Sequence, residues 1–353
     1  MTAPAGVGPV LLEPVLIGYP WGDPDTIPRL LGRRPDGRPV AELWIGAEGV
    51  PVLVKVLAVA APLSLQLHPD DESAARGHAA GLAGFTAPYG KPELLLAVSR
   101  FLSLSGLRPA AESLAVLAGL GLDRRAAPAL RPALGPVLDA LRAGDPAAGL
   151  AAALTAGEQL ASPITAALAR DSSPGLELVR RVAVVHAGDP ALAATLLLRP
   201  HRLEPGEALW CPPGCPHVHV SGCGVEVQTD ADTTLRAGLT AKPRDPATFL
   251  ANLRTLPPER PEPVHTGAEQ VVTAPDGRLR LGVVPDGGGV LDPLPEPSVL
   301  LCLRGPASVE VGGDEARLEA GSGAFVAAGA GPVRVAGRGP VFRASTLGRV
   351  PMP

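Results

Sequence analysis

The order of apolar and polar residues divides the chain into β-rich stretches and one helical stretch. Apolar blocks separated by turn residues fill residues 10–60, and residues 40–48 and 50–60 have the pattern of strands. Strand character returns at residues 191–214 and again from His265 onward. In this last part the predicted strands are residues 278–284, 298–305, 307–313, 315–329, 332–337 and 341–345.

The stretch from Pro109 to His186 is rich in Ala and Leu, and its apolar residues recur at steps of three and four. This periodicity predicts helices. Prolines should break them into short pieces; these are Pro128, Pro132, Pro136, Pro146 and Pro163. We find no candidate chemistry here and interpret the stretch as a helical insertion that forms one wall of a site.

Composition limits the functional classes. A chain of 353 residues with 46% hydrophobic content can bury cores in two or three domains. Its net charge of −4 and the absence of a basic stripe argue against nucleic-acid binding. No apolar stretch approaches the roughly 18 residues of a membrane helix, and the N-terminus lacks the basic start of a signal peptide. We therefore expect a cytoplasmic monomer without a membrane partner.

The most specific spacing joins Gly206, Pro212, Gly214, His217 and Ser221. A Pro/Gly turn before a returning strand would direct one imidazole into a small barrel. The spacing resembles the second metal motif of cupin β-barrels, with Ser where Asn is usual. Cysteines at 211, 215 and 223 surround this motif but fit no CxxC pair, so we interpret them as buried apolar residues rather than ligands of a structural zinc.

A weak internal repeat suggests two related β-barrels. Residues 203–206 are echoed by residues 318–321, and Gly214 is echoed by Gly329. The position of His217 then corresponds to Pro332, which cannot bind metal. We predict a mainly β fold with an α insertion, built from two cupin or jelly-roll β-barrels and a small helical domain. The predicted domains are residues 1–106 with 187–260 (catalytic barrel), 107–186 (helical insertion) and 261–353 (metal-free barrel).

Residues 63–68 alternate in the manner of a strand with one polar face. Leucines point to one side, and Ser64, Gln66 and His68 point to the other. Such a face costs free energy unless it binds something; the alternative is a solvated face. Lys91 and Glu93 flank Pro92 at the start of the next apolar strand, where the alternative is that Pro92 marks only a turn.

Gln66, His68, Glu93 and His217 are the candidate metal ligands. Two imidazoles, a carboxylate and an amide oxygen suit zinc or a similar divalent ion with room for substrate oxygens. Spacing alone leaves Glu72 as a competitor of Glu93. Cationic Lys91, Arg236 and Lys242, with Glu226 and Asp232 among them, favour an anionic, oxygen-rich ligand such as a sugar phosphate.

These residues belong to a series of pieces that resembles the type I mannose-6-phosphate isomerases. The matching pieces, in chain order, are residues 19–22, 41–46, 62–70, 90–93, 203–208, 216–217, 225–226, Asp232 and 236–242. A pattern at residues 322–344 is typical of the last barrel of that family. The pieces cover most of the chain, which makes the resemblance more specific than any single motif.

The resemblance implies a role for each matching residue. One zinc ion per chain would be held by Gln66, His68, Glu93 and His217, which favours Glu93 over Glu72. Arg236 matches the catalytic arginine of the family, and Lys91 and Glu226 are the other candidate catalytic residues. The remaining candidates would contact substrate; they are Ser64, Lys242, Asp232, Trp21, Glu42 and His219.

The chain also departs from the family pattern. His219 stands where the family usually has Tyr, and Thr233 stands where it usually has Asn. Near Glu48 a usual His is replaced, and the helical stretch is short for the family. These departures concern the fit of the substrate more than the metal.

The implied reaction interconverts mannose 6-phosphate and fructose 6-phosphate by moving a proton between C2 and C1 through an enediol. It needs a base and groups that stabilise developing negative charge. Glu226, His219 and a zinc-bound hydroxide remain open as the base, because an Arg is a poor one. The alternatives are a non-catalytic cupin that binds a sugar phosphate and another metal-dependent cupin enzyme, such as an oxygenase.

Overall fold

The computed structural model of the chain describes residues 8–46, 50, 52–123 and 125–347. Within these residues strands dominate, and most helices lie between residues 110 and 195. The mainly β character with helices inserted in the middle is therefore confirmed. In the described part of the chain, no helix is both long enough and apolar enough to cross a membrane.

The strands form two successive groups after an N-terminal strand, β1 (Val10–Leu12). We call the first group the first β unit: β2 (Val15–Ile17), β3 (Glu42–Ile45), β4 (Val52–Val59), β5 (Leu65–Leu67), β6 (Glu93–Ala97), β7 (Phe101–Leu107), β8 (Leu198–Leu203), β9 (Ala208–Cys211), β10 (His217–Thr229) and β11 (Leu235–Gly238). The second β unit follows it: β12 (Val264–Thr266), β13 (Glu269–Thr273), β14 (Leu279–Val284), β15 (Gly289–Leu291), β16 (Ser298–Cys302), β17 (Ala307–Val311), β18 (Asp314–Leu318), β19 (Gly323–Val326), β20 (Val333–Gly337) and β21 (Val341–Thr346).

The helices connect strands of the first β unit, except for the last one, which follows that unit. They are α1 (Thr26–Leu30), α2 (Asp71–Ala79), α3 (Ala110–Gly119), α4 (Arg131–Arg142), α5 (Pro146–Thr155), α6 (Gly157–Arg170), α7 (Glu177–Val185), α8 (Leu192–Thr195) and α9 (Pro246–Ala251). Two 3₁₀ turns, Pro128–Leu130 and Pro174–Leu176, precede α4 and α7. The pattern of residues 191–214 predicts only strands, so α8 is a helix that the sequence does not reveal.

Two of the five prolines do not break helices as expected. Pro136 lies inside α4 and Pro163 lies inside α6, whereas Pro132 and Pro146 occupy the first turns of α4 and α5, where the missing N–H is not needed. Both interrupted helices bury a long apolar stripe. This packing outweighs the loss of one internal hydrogen bond at each proline.

Strand β10 is the centre of the first β unit. Its first part pairs with β5 and β7, and its second part lies between β4 and β6. His217, the first residue of β10, is paired with Gln66 of β5. Strand β10 therefore places His217 next to the polar face of residues 64–68.

The second β unit repeats the strand pairing of the first. β21 lies between β14 and β16 as β10 lies between β4 and β6, and β16 pairs with β19 as β6 pairs with β9. β17 also pairs with both β18 and β20, as β7 pairs with both β8 and β10. Gly206 and Gly321 have φ values of 89° and 84° in equivalent turns. Their N–H groups donate hydrogen bonds to the main-chain carbonyls of Ala97 and Cys302, respectively. The weak sequence repeat thus reflects one shared topology. The closure of each unit as a cupin barrel, and the domain boundaries, stay predictions.

The three largest apolar cores of the described residues hold these parts together. One core packs the helices against the leucines of β5 and against β7 and the first part of β10. Another lies between the two β units and includes Val56, Val225, Leu281 and Leu301. A third fills the second β unit, where Leu291 and Val333 contribute apolar side chains. The helices therefore back the strands that carry the site, on the face opposite the polar side chains.

The core between the two β units should contribute strongly to stability. We expect Leu281→Ala, at a side chain with 0% exposure, to lower the free energy of unfolding by about 2–5 kcal/mol. Val290→Ala, at a side chain that is 47% exposed, should change it by less than about 0.5 kcal/mol. Urea unfolding of both variants measures the difference, and equal losses would contradict the contribution of Leu281 to this core.

Candidate active site

A cavity of about 390 Å³ opens beside the first part of β10. This volume suits a small organic ligand. All but two of the candidate site residues line it: Trp21, Glu42, Ser64, Gln66, Lys91, Glu93, His219, Glu226, Asp232, Arg236 and Lys242. The other two, His68 and His217, lie against Glu93 with 3% and 1% exposure. One cavity therefore gathers the residues that the sequence singles out.

Strand alternation places the polar face of β5 in this cavity. Leu65 and Leu67 are fully buried in the core beneath the helices, so Ser64 and Gln66 face the other way. The Ser64 hydroxyl donates a hydrogen bond to the Gln66 amide oxygen at 2.8 Å. The alternative of a merely solvated face does not fit His68, which is 3% exposed.

A tight turn before β10 directs His217 toward the same point. Gly214 has a φ of 81°, and a Cβ atom there would lie 2.3 Å from the Arg254 side chain. Its N–H donates to the carbonyl of His68 at 2.6 Å. Only glycine satisfies both the conformation and the close approach. The turn thus ties the segments of the two candidate histidine ligands together.

His68, Glu93 and His217 form a buried cluster with metal-ligand geometry. The His68 Nε2 atom lies 3.0 Å from one carboxylate oxygen of Glu93, and the His217 Nε2 atom lies 3.5 Å from the other. Each Nδ1 atom instead contacts a main-chain carbonyl, that of Thr233 at 2.8 Å and that of Cys215 at 3.0 Å. A carbonyl only accepts hydrogen bonds, so both Nδ1 atoms carry hydrogen. In the neutral rings both Nε2 atoms then present lone pairs to the carboxylate.

This arrangement fits a divalent metal ion. Burial lowers the pKa of His217 to about 3, so its ring is neutral near pH 7. Burial opposes ionisation of Glu93, but positive charge on His68 and the Lys91 ammonium outweigh it, and the pKa of Glu93 lies well below its usual range. When both rings are neutral, their Nε2 lone pairs repel the carboxylate, and a cation in this place, either a proton on His68 or a metal ion, removes the repulsion. Hydroxyl and carbonyl oxygens of a bound molecule would complete the coordination of such an ion.

Gln66 is placed to be a fourth ligand. Its amide nitrogen lies 3.3 Å from His217 Nε2. The oxygen and nitrogen of an amide exchange places on rotation by 180°, which would turn the oxygen toward the two imidazoles. Glu72, the competitor by spacing, instead lies on the exposed face of α2, where it pairs with Arg76. The structure therefore brings Glu93, and not Glu72, to the cluster.

Buried charges surround the cluster. Burial disfavours the Lys91 ammonium, but Glu93, Glu226 and Asp232 outweigh this effect and raise its pKa. Its Nζ atom lies 3.0 Å from Glu93. Burial lowers the pKa of Arg236, which is half-buried opposite Gln66 on β11. The cavity thus holds fixed cations directly beside the proposed metal ligands.

Sequence reasoning overlooks Lys55. This lysine is 5% exposed, lines the cavity, and lies 4.5 Å above the Trp44 ring. Burial and the nearby Lys91 lower its pKa, whereas Glu42 and Glu226 oppose the change. It is directly opposite Glu226 in the sheet. The signal that could have revealed it is a single charge in the otherwise apolar strand β4.

The rim of the cavity combines aromatic and helical residues. Tyr19 stacks on Trp21 with ring centroids 5.7 Å apart, and the Lys242 ammonium lies 3.8 Å above the Tyr19 ring. Val185 and His186, from the end of α7, also line the cavity. These two residues agree with the prediction that the helical stretch forms one wall.

Of the three departures at single positions, two can be located. His219 is 3% exposed; its Nδ1 atom contacts the Ser103 hydroxyl at 3.1 Å, and its Nε2 atom lies 3.8 Å from Glu226. Thr233 holds His68 through its carbonyl, so its place is on the ligand side of the site rather than in the substrate fit alone. Glu48 lies outside the described residues.

The four cysteines are free and buried. Among the described residues, the groups that could hold a metal ion contain His and Glu but no Cys. This agrees with their interpretation as buried apolar residues. A second such group, formed by Glu93, His219 and Glu226, shares the Glu93 carboxylate with the first, and the Lys91 ammonium already neutralises that carboxylate.

One family recurs among the sequence matches of the chain. Residues 47–110 match the family model described as phosphomannose isomerase type I, catalytic domain. The mannose-6-phosphate isomerase of Escherichia coli K12 is 28% identical over 87% of this chain and 92% of its own length. That of Arabidopsis thaliana is 28% identical over 85% of this chain and 72% of its own length.

Solved structures agree in fold. A mutant of the phosphomannose isomerase from Salmonella typhimurium has a TM-score of 0.82 at 24% identity, over 96% of this chain and 100% of the other. The chain resembles the type I phosphomannose isomerases in sequence and in fold. A zinc-bound mannose 6-phosphate isomerase has a TM-score of 0.80 at 24% identity, over 96% of this chain and 99% of its own. These likenesses to phosphomannose isomerase structures support the mainly β architecture with its helices.

The cluster makes a sharp prediction about metal binding. We expect Glu93→Gln to lower the affinity for zinc by at least about 100-fold, because loss of a ligand exceeds the 10–100-fold effect of an outer partner. Glu72→Gln should leave the affinity unchanged, since Glu72 is exposed on α2. Metal content after dialysis, measured by mass spectrometry, decides between the two glutamates. Equal metal content in both variants would contradict the site.

Proposed function

We propose that the protein is a zinc-dependent aldose–ketose isomerase that interconverts mannose 6-phosphate and fructose 6-phosphate. The observation that carries this proposal is the buried His68, Glu93 and His217 cluster, which adjoins a cation-lined cavity. The likeness to the type I phosphomannose isomerases supports the choice of substrate. A single zinc ion per chain, with Gln66 as the fourth protein ligand, completes the proposed site.

Zinc in this site would polarise and orient the oxygens at C1 and C2 of the sugar. The residues of the chain supply the other requirements. Strands β5, β6 and β10 fix the ligands, and the cavity walls exclude part of the solvent, which strengthens the interaction between the fixed charges and the substrate. Preorganised charge of this kind commonly supplies the largest share of a rate enhancement.

Cations of the cavity are suited to the phosphate and to the negative charge of an enediolate. Arg236 and Lys91 lie beside the proposed ligands, and we assign them to the developing charge at the reacting carbons. Lys55 and Lys242 remain for the phosphate group, together with the hydroxyl of Ser64. An arginine at this place acts as a fixed cation rather than a base, since it stays protonated.

Two buried groups can carry the proton between C2 and C1. Glu226 lines the cavity and is paired with Lys55 in the sheet. The Nε2 atom of His219 lies 3.8 Å from a carboxylate oxygen of Glu226. Ser103 holds the far side of the His219 ring, which fixes the direction of its Nε2 atom. Glu42 and Asp232 complete the polar wall and are suited to bind sugar hydroxyls. Burial raises the pKa of Glu42, although the Lys55 ammonium opposes this change.

The repeated strand pairing supports the proposal that both β units are cupin barrels. In the second unit, Leu291 and Val333 lie on the paired strands β15 and β20, whose counterparts in the first unit carry Gln66 and His217. Strand pairing thus favours Val333, the residue after the Pro332 expected from the sequence repeat, as the counterpart of His217. An apolar pair at this place cannot bind metal. We therefore propose that residues 1–106 with 187–260 form the catalytic barrel, residues 107–186 the helical insertion, and residues 261–353 a metal-free barrel.

The activity is tested directly by a coupled assay for fructose 6-phosphate formed from mannose 6-phosphate. We expect turnover that a chelator abolishes and that added zinc restores, because the ligands hold the ion next to the reacting carbons. Binding of mannose 6-phosphate without turnover would instead identify a sugar-phosphate-binding protein. Iron in the purified protein, with consumption of oxygen, would identify an oxygenase.

Arg236 should be essential for turnover but not for the metal. We expect Arg236→Ala to lower kcat by about 100–1000-fold, the usual cost of removing a group that stabilises transition-state charge, while zinc content stays the same. Arg334→Ala, on an exposed side chain of the second β unit, is the matched control and should leave kcat unchanged. Near-normal turnover of Arg236→Ala would remove this residue from the mechanism.

A further inference from the structure

The chain makes a strained turn at Leu239, between Arg236 and Lys242. Leu239 has a φ of 58°, in the left-handed region that glycine favours. No other non-glycine residue in the described part of the chain has a positive φ. Leu239 is 1% exposed, and Thr240 and Ala241, which follow it, line the cavity. Such a conformation persists only where neighbouring structure imposes it.

Asp189 holds this conformation from the segment that links α7 to α8. Its side chain is 15% exposed. One carboxylate oxygen accepts the N–H of Leu239 at 3.1 Å, and the other accepts the N–H of Ala191 at 2.8 Å. The carboxylate therefore joins the backbone of its own segment to the backbone of the turn.

Close packing at Gly238 reinforces the contact. A Cβ atom at this position would lie 2.4 Å from the Cβ atom of Ala191 and 2.9 Å from a carboxylate oxygen of Asp189. No side chain larger than that of glycine fits between the two segments. The turn and the segment from Asp189 to Ala191 thus form one packed unit.

Arg236 does not depend on this unit. It precedes the turn, pairs with Gln66 across β11 and β5, and its carbonyl accepts the N–H of Asp245 at 2.8 Å. Lys242 follows the turn, outside any helix or strand, and its ammonium lies 3.8 Å above the Tyr19 ring. Within the described part of the chain, its N–H donates to the nearby Thr240 hydroxyl alone, at 3.0 Å. Displacement of the turn would therefore move Lys242 while Arg236 keeps its place in the sheet.

We propose that Asp189 is a positioning residue that fixes the turn at Leu239 and thereby places the Lys242 ammonium at the mouth of the cavity, where it meets the anionic group of the substrate. This inference rests on the proposed function, because it takes the anionic group to be the phosphate of a sugar phosphate. The segment that follows the helical stretch then sets substrate affinity through one carboxylate.

The simplest rival is that Asp189 only stabilises the link between α7 and α8. The ion pair between Asp189 and Arg244 does not explain why Asp189 contacts the turn. The charged atoms are 3.7 Å apart and the Arg244 side chain is 47% exposed, and exposed pairs of this kind contribute little to stability. A matched control exists at Asp171, in the link before α7, which holds Arg180 at 2.5 Å and Ser173 at 2.9 Å. Neither aspartate lines the cavity, but the partners of Asp171 lie outside the turn at Leu239, whereas Asp189 accepts the Leu239 N–H.

A double-mutant cycle on the zinc-loaded enzyme tests the proposal. We expect Asp189→Ala and Lys242→Ala each to raise the KM for mannose 6-phosphate about 10-fold, with kcat within about 3-fold of wild type. The double variant should be no worse than the poorer single variant, because both changes remove the same contact. Multiplied effects, an increase near 100-fold, would overturn the proposal, and so would an unchanged KM in Asp189→Ala.

Asp171→Ala separates positioning from general stability. It should lower the Tm to a similar extent as Asp189→Ala and change KM by less than about 2-fold, since it leaves the turn intact. Amide hydrogen exchange provides a second readout. Residues 237–242 should exchange about 10-fold faster in Asp189→Ala but not in Asp171→Ala, because only the former loses the acceptor of the Leu239 N–H. Equal behaviour of the two variants would overturn the proposal.

The test also holds if the proposed activity fails. Without turnover of mannose 6-phosphate by the wild-type protein, the isomerase proposal falls, whereas binding of inorganic phosphate still reports on Lys242. Asp189→Ala should then weaken phosphate binding to the same extent as Lys242→Ala. An unchanged Kd, or the absence of phosphate binding by the wild-type protein, would overturn the role of Asp189.

Discussion

The site depends on one electrostatic constraint: two imidazole nitrogens and a carboxylate oxygen are held within 4.8 Å of one another in a buried place. Thr233 and Cys215 set the constraint by accepting the Nδ1 hydrogens of His68 and His217. Without a cation the arrangement is unfavourable, because lone pairs and a buried anion repel one another. Metal binding would relieve this repulsion, so the strands β5, β6 and β10 must be rigid enough to maintain it.

The charges around this cluster follow from strand pairing. On the cavity face of the first β unit, the side chains of Glu42, Lys55 and Glu226 alternate in sign across neighbouring strands, and Lys91 pairs with Glu93 at the end of β6. Removal of one partner from a buried pair of this kind costs roughly 3–5 kcal/mol, because the other charge remains unpaired. The pocket is therefore preorganised for a charged ligand, and this arrangement lowers the stability of the fold. The core beneath the helices and the core between the two β units offset that loss.

Two β units with the same strand pairing have different interiors. The first has a polar cavity, whereas the second is filled by apolar side chains such as Leu291, Val309 and Val335. Backbone pairing is indifferent to this choice, since a strand offers one set of side chains to each face. The second unit instead shares a core with the first, and Arg278 binds Asp71, whose carboxylate also accepts the N–H of Gly90 just before Lys91.

The sequence by itself determined the local features: strand periodicity placed Gln66 and His68 on one polar face, the Pro/Gly turn marked His217, and the family pieces selected Glu93. These are properties of short segments, in which backbone geometry dictates side-chain direction. Only the tertiary structure decided what depends on distant packing. It retained Pro136 and Pro163 inside buried helices, directed Lys55 into the cavity through its place in the sheet, and brought Asp189 to a turn some fifty residues away along the chain. Such contacts follow from how whole elements pack, and no local pattern of residues encodes them.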